Sequence, residues 1–214
     1  MFDRDIDAAI SQLVEQWNIA ERRIKKAEFT TGNQVVFSAV QELRYAGRKL
    51  IDVHHLLQSD KWRTDETEKA RILAFLADAT EDCVKAKHDA IDAMMLFVSL
   101  WFERTERKLG LSGVTKYFPD YITITGRIGD IQQKIATSRG DRTILRDPIY
   151  DDIEVESYEG IISLYDKMKA SEPRVQAEVA VERRRTRILV WGTVICVILA
   201  LPALILAIIA FYRS

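Results

Sequence analysis

Apolar residues recur at helical spacing along most of the chain. A first run extends from about Asp3 to Phe29 and ends at the turn-forming residues TTGN, 30–33. A second run covers roughly Gln34 to Ser59. Each predicts a helix with one buried face. The predicted inward faces are Ile6, Ala9, Ile10, Leu13, Trp17, Ala20 and Ile24 in the first helix, and Val36, Val40, Leu43, Gly47, Leu50, His54 and Leu57 in the second.

A third helical run begins near Thr64, where TDETE places acidic residues in a first turn, and continues to about Leu109. One break is expected in a run of this length. The residues GLSG, 110–113, end it. The following residues predict a loop, a short helix opening near Pro119, and a basic turn.

The pattern then predicts a linker at Asp147-Pro148 and a further helix over about 156–170. Ser171 is predicted to cap one more helix, with Pro173 in its first turn. No proline follows until Pro202, so this last helix is expected to run on as a continuous rod.

The most distinctive pattern is an uncharged run over 188–212, ILVWGTVICVILALPALILAIIAFY. At ~1.5 Å per residue it reaches ~37 Å, enough for a hydrocarbon core of ~30 Å, so it predicts a transmembrane helix. Basic residues stand immediately before it, at Arg183, Arg184, Arg185 and Arg187, and only Arg213 follows. That asymmetry predicts a single-pass membrane protein with residues 1–187 in the cytoplasm and the C-terminus on the far side.

Small residues recur every three or four positions within this run and therefore share one face of a helix. They are Thr193, Cys196, Ala200, Ala203, Ala207 and Ala210. This stripe predicts self-association, and it lines a pore if several copies meet. Chance alignment of alanines is the alternative. Pro202, inside the run, predicts a kink in the helix, and this kink is either a gate or a proline that the helix merely tolerates.

These patterns predict an all-α fold, a cytoplasmic helical bundle continuing into a single C-terminal transmembrane helix, as a homo-oligomer. The predicted divisions are a sensor and assembly domain at 1–171, a helical connector at 172–187 and the transmembrane helix at 188–212. The composition, 48% hydrophobic and 29% charged with nine glycines and four prolines, is typical of a helical domain. Two cysteines, Cys83 and Cys196, provide no disulfide framework.

Catalytic motifs are scarce. The chain contains no CxxC, HExxH or GxxxxGK[ST], so we predict no metal, no cofactor and no enzyme. The run RKLIDVHH places Arg48 six or seven residues before His54 and His55, a spacing that resembles that of HEPN ribonucleases. A tethered ribonuclease is therefore one alternative, although His54 falls on the predicted apolar face.

The net charge of −1 gives the whole molecule no broad attraction for nucleic acid. Local basic clusters remain, and symmetry in an oligomer would multiply their field. The predicted anionic-ligand residues are Arg44, Arg48, Lys49 and His55 from one cluster and Lys134, Arg139 and Arg142 from another. Ordinary solvated helix faces are the alternative for each.

The stretch RYAGRKLIDVHHLL at 44–57, a small helical domain and one C-terminal span together resemble the channel subunit of the Hailong anti-phage system. The resemblance implies a homotetrameric ion channel in the inner membrane. It further implies that a single-stranded DNA oligomer, made by a partner nucleotidyltransferase, holds the channel shut until infection removes it.

We therefore expect an oligomeric membrane effector. Its expected partners are other copies of the chain, membrane lipid and a single-stranded DNA oligomer. A membrane-anchored helical scaffold that binds a partner is the main alternative.

Overall fold

The computed structural model describes residues 3–140, 146–153 and 158–213, and for 138–140, 146, 147, 151, 201 and 203–213 it gives the backbone alone. The described residues form seven α-helices and one 3₁₀ turn, and no strand occurs among them. The helices are α1 (Arg4–Thr30), α2 (Phe37–Gln58), α3 (Glu66–Leu109), α4 (Leu111–Tyr117), α5 (Tyr121–Gly140), α6 (Arg146–Ile153) and α7 (Glu159–Arg213), with the 3₁₀ turn at Lys61–Arg63. The predicted all-α composition is confirmed for this part of the chain.

The chain divides into two compact units. The first comprises Met1–Phe102 and Ile124–Ile162. It is a helical bundle, since amphipathic helices bury one apolar face each. Its buried side chains include Ile6, Leu13 and Ile24 of α1, Ile72, Leu76 and Met94 of α3, and Ile128, Ile131 and Tyr150 of α5 and α6.

The second unit comprises Glu103–Thr123 and Ser163–Ser214. Its first segment contributes the buried side chains of Leu109, Val114 and Tyr121. Its second segment contributes those of Tyr165, Met168, Val175 and Val179 of α7. The Tyr121 hydroxyl donates to Glu106 Oε2 at 2.9 Å. Burial, this hydrogen bond and the nearby carboxylates raise the pKa of Tyr121.

The ends of α1 follow the predicted signals. The Asp3 carboxylate accepts from the Asp5 amide at 2.9 Å and caps the first turn. Lys69 of α3 lies 2.9 Å from the same carboxylate and 3.2 Å from that of Asp5. At the other end Gly32 and Asn33 both adopt positive φ, which terminates the helix at TTGN as predicted.

The buried face of α2 differs from the prediction. Ala39, Ala46 and Val53, seven residues apart, form it, whereas Val40 and Leu50 are exposed. The predicted face is displaced because small alanines permit the closest packing but contribute little to a hydrophobic pattern.

Helix α3 continues without the expected break to Leu109. Gly110, at φ 78°, then ends it as the GLSG run predicted. The predicted loop beyond is wrong in part, because α4 covers Leu111–Tyr117 and α5 extends over twenty residues. Burial of Ile128, Ile131 and Ile135 stabilises α5 despite Gly126 and Gly129 in its interior.

The linker at Asp147-Pro148 is also wrong, since both residues lie in the first turn of α6, where proline is tolerated. Ser171 does not cap a helix. Its hydroxyl donates to the Lys167 carbonyl at 2.6 Å inside α7, which includes Pro173. The predicted continuous rod is confirmed and begins earlier, at Glu159.

The predicted transmembrane helix is not found. Over the residues that the structure describes, no helix combines the length and the apolar character needed to cross a membrane. Within the predicted span, the side chains of residues 201 and 203–212 lie outside the described set. The single-pass inner-membrane location, which rested on this span, is contradicted with it.

Candidate functional site

The predicted basic cluster on α2 is largely open to solvent. Arg44, Arg48 and His55 are exposed on this helix, as is Tyr45 beside them. Arg48 Nε lies 3.7 Å from the Asp52 carboxylate one turn on, with three quarters of the Arg48 side chain exposed. Such an exposed pair contributes little to stability and leaves Arg48 accessible.

Lys49, the fourth predicted residue of this cluster, points into the first unit. Its ammonium lies 2.7 Å from Asp82 Oδ2 of α3, in an ion contact rather than an aligned hydrogen bond. It also donates to the Asp78 carbonyl at 3.3 Å. Because the Asp82 side chain is 8% exposed, Lys49 neutralises a buried charge, which supports a structural role for it.

Further charged groups surround Asp82. Lys85 lies 3.8 Å from Asp82 and 2.7 Å from Glu81. Burial, followed by the charge of Asp82, raises the pKa of Glu42, while the hydrogen bond from Lys85 lowers the pKa of Glu81. Lys49 and Lys85 thus both lie within 4 Å of the buried Asp82 carboxylate, and only the Lys49 pair joins α2 to α3.

The second predicted basic cluster is only partly described. Lys134 of α5 borders an open cavity of 440 Å³ together with Asp130 and Thr137. Arg139 belongs to α5, but its side chain lies outside the described residues, and Arg142 lies outside them altogether.

The two histidines of the ribonuclease alternative are exposed, so the placement of His54 in the core is wrong. His54 Nε2 lies 3.1 Å from Gln58 Nε2, and the His54 and His55 ring centroids are 6.2 Å apart. The catalytic role of either ring stays a prediction.

The small-residue stripe lies on the C-terminal part of α7. Thr193, Cys196 and Ala200 are exposed, and the Thr193 hydroxyl donates to the Leu189 carbonyl at 2.9 Å. Ala203, Ala207 and Ala210 continue the helix, with side chains outside the described set. Pro202 is exposed within α7, and whether it gates anything stays a prediction.

Large apolar side chains surround this stripe. Nine of them are exposed over 188–199: Ile188, Leu189, Val190, Trp191, Val194, Ile195, Val197, Ile198 and Leu199. Four successive residues, from Ile188 to Trp191, point to all sides of a helix because each turns by ~100°. We call residues 188–200 the apolar segment of α7. No face of it is covered within the described residues.

Arginines that the sequence pattern identifies as an orientation signal beside the uncharged run border a second candidate site in the structure. Arg183, Arg184 and Arg187 border two adjoining open cavities of 650 and 580 Å³ in the second unit. Lys108, Lys116 and Trp191 contribute to their walls. The signal was present in the RRRTR run, but nothing in the sequence indicated that α4 and the end of α3 would meet it.

A polar cluster around the buried side chains of His88 and Tyr150 in the first unit was also not predicted from the sequence. The ring of His88 stacks on Tyr150 at 3.8 Å between centroids, and the Tyr150 hydroxyl donates to both Asp92 oxygens at 2.8 and 2.9 Å. These contacts connect α3 to α6 and provide a hydrogen-bond donor to a half-buried carboxylate.

The chain matches no protein-family model, no curated protein and no solved structure.

Proposed function

We propose that the protein is a non-enzymatic helical module that assembles with copies of itself through the apolar segment of α7. The observation that carries this proposal is the exposure of nine large apolar side chains on one uncharged stretch of helix. Exposed apolar patches of this extent mark interaction sites.

The exposure of the segment fits association with a partner. Each of the nine side chains is 41% exposed or more, so every side of the helix presents apolar surface to a partner. The charged part of α7 ends at Arg187, so the segment has no charged residue to disfavour burial.

A second copy of this chain is the occupant we infer, because every copy presents the same uncharged surface. One partner helix covers only one face of another. Since apolar side chains point to all sides here, complete coverage requires more than two copies. We therefore expect an assembly of three or more chains.

The stripe of small residues supplies a face for close approach. Thr193, Cys196 and Ala200 carry the smallest side chains of the segment apart from Gly192, which allows helix backbones to come near each other. We infer that this face forms the tightest helix–helix contact in the assembly.

The predicted ion channel required a membrane span and is not carried forward. The nucleic-acid ligand, the nucleotidyltransferase partner and the role in anti-phage defence rest on the resemblance alone and stay predictions.

A matched pair of variants tests the assembly. Val194 and Val181 are both exposed valines of α7, 41% and 51% accessible, and only Val194 lies in the apolar segment. We expect V194K to reduce the mass of the purified full-length protein, measured by light scattering in mild detergent, because burial of an ammonium is unfavourable.

The V181K variant should keep the wild-type mass. Circular dichroism at 222 nm should show equal helicity in both variants. An unchanged mass for V194K, or a wild-type protein that is already a single chain, would contradict the proposal. The second result would point to a partner other than this chain.

A further inference from the structure

We propose that the groove formed by the two cavities beside α4 binds the pyrophosphate group of a small ligand. We call it the basic groove; both cavities are bordered by Leu109, Val179, Arg183 and Arg187. The three arginines of the groove precede the apolar segment of α7, whereas Trp191, which also borders the groove, lies within that segment, so the assembly mass of each variant is measured alongside its binding.

The lysines of the groove are already neutralised. Lys108 Nζ lies 3.0 Å from Glu172, and Lys116 forms an ion pair with Glu182. The hydrogen bond to Glu182 raises the pKa of Lys116, as expected for a paired ammonium. These two pairs add shape to the groove but little net charge.

The arginines are not neutralised in this way. Arg183 Nη2 donates to the backbone carbonyl of Leu109 at 2.9 Å. A guanidinium has five N–H donors, so this single bond to a neutral acceptor orients the group and leaves its charge and other donors for a ligand. The positive charge of Arg183 is thus held in place and uncompensated.

Arg184 and Arg187 have no carboxylate partner among the described residues. Arg187 follows Arg183 by four residues and Arg184 by three, so their side chains emerge from neighbouring parts of the α7 surface. Both border the cavity of 580 Å³ together with Arg183. Three guanidinium groups at one groove favour a ligand with more than one phosphate, because forked donors match phosphate oxygens.

Trp191 adds an aromatic surface at the end of the same groove. It lies one turn beyond Arg187, borders the cavity of 650 Å³ and is 62% exposed. An exposed indole next to guanidinium groups provides a stacking surface for a base. The cavity volume is within the range of sites for small ligands, ~300–1,000 Å³. The same pyrophosphate chemistry is offered by free pyrophosphate and by a nucleoside diphosphate.

Isothermal titration calorimetry of the full-length protein tests the proposal, with inorganic pyrophosphate and ADP as probes. We expect binding that weakens as ionic strength rises, because salt screens the guanidinium charges. The double variant R184Q/R187Q should bind at least tenfold more weakly. The control R185Q removes an exposed charge outside the described walls of both cavities and should change affinity less than twofold.

The variant W191A separates the two sources of pyrophosphate. If the ligand is a nucleoside diphosphate, wild type binds ADP more tightly than pyrophosphate and W191A removes that difference. If it is free pyrophosphate, the two probes bind equally and W191A changes neither. Absence of binding to both probes, or equal losses in R184Q/R187Q and R185Q, would overturn the proposal.

Discussion

Lys49 and Asp82 form an ion pair between α2 and α3, with 2.7 Å between Nζ and Oδ2. The carboxylate is almost fully buried, whereas the lysine is 29% exposed at its side chain. The sequence predicts Lys49 as a ligand-binding residue, but in the structure its ammonium is paired with a buried carboxylate. Its neighbour Arg48 remains open to solvent, so the two adjacent cations have different surroundings.

We predict that K49A lowers the free energy of unfolding by about 1–3 kcal/mol, because it leaves a buried carboxylate without its closest cation. Lys85, 3.8 Å away, compensates only in part. R48A should change the same quantity by less than ~0.5 kcal/mol, since its pair with Asp52 is exposed. Urea unfolding followed by circular dichroism measures both. Equal effects of the two substitutions would show that Lys49 has no special structural role.

Removal of the Glu42 charge and removal of the Glu81 charge should change the stability of the protein in opposite directions. The pKa of Glu42 is raised on folding by burial, so its ionisation opposes folding once the pH exceeds the pKa of the unfolded chain. The pKa of Glu81 is lowered by Lys85, so its stabilising contribution is present above the unfolded pKa and is lost as the pH falls.

We therefore expect E42Q to raise the melting temperature at pH 7 and to have a smaller effect at pH 4. E81Q should lower the melting temperature slightly at pH 7, because its ion pair is largely exposed. Differential scanning calorimetry at the two pH values checks both signs. A stabilising effect of E81Q at pH 7 would refute the assigned ion pair.

The sequence predicts the helical segments better than their faces. The boundaries of α1 and the turn at TTGN follow from local signals, namely a capping aspartate and two residues suited to positive φ. The inward face of α2 does not, because packing selects Ala39 and Ala46 over larger apolar residues. Helix α6 likewise requires burial of Tyr150 to override the linker signal of Asp147-Pro148.

At the candidate site, too, the sequence predicts residue types but not the contacts that these residues make. The sequence identifies basic residues, but the ion pair of Lys49 and the hydrogen bond from Arg183 to Leu109 both depend on residues far away in the chain. Local spacing contains no information on such partners. The assignment of the uncharged run after Arg187 as a transmembrane helix was wrong, since no described helix is long and apolar enough to cross a membrane.

Cys196 offers a direct probe of the small-residue face. It is exposed on the stripe of α7, while the only other cysteine, Cys83, is buried, and burial raises the pKa of its thiol to about 11. If stripes of two copies meet, mild oxidation should link them through Cys196, since a disulfide requires Cα atoms within ~7 Å. Non-reducing electrophoresis should then show a product of twice the mass of the chain.

The C196S variant should lose this product, and C83S should retain it. Cross-linking that persists in C196S, or none in a protein shown to be assembled, would place the stripe away from the contact between copies.

The exposed histidines of α2 allow the ribonuclease alternative to be tested. Because we propose a non-enzymatic module, we expect the wild-type protein to leave single-stranded RNA intact, and H54A/H55A to have the same assembly mass as wild type. Incubation with labelled RNA followed by gel analysis measures the first. Cleavage by wild type that H54A/H55A abolishes would establish an enzyme instead.

The mass of the purified full-length chain tests the central claim most directly. Light scattering in mild detergent, corrected for bound detergent, compares the particle with the single-chain mass of 24.6 kDa. Self-assembly through the apolar segment of α7 predicts at least three times that mass over a range of protein concentrations. A particle with the mass of one chain throughout that range would contradict it.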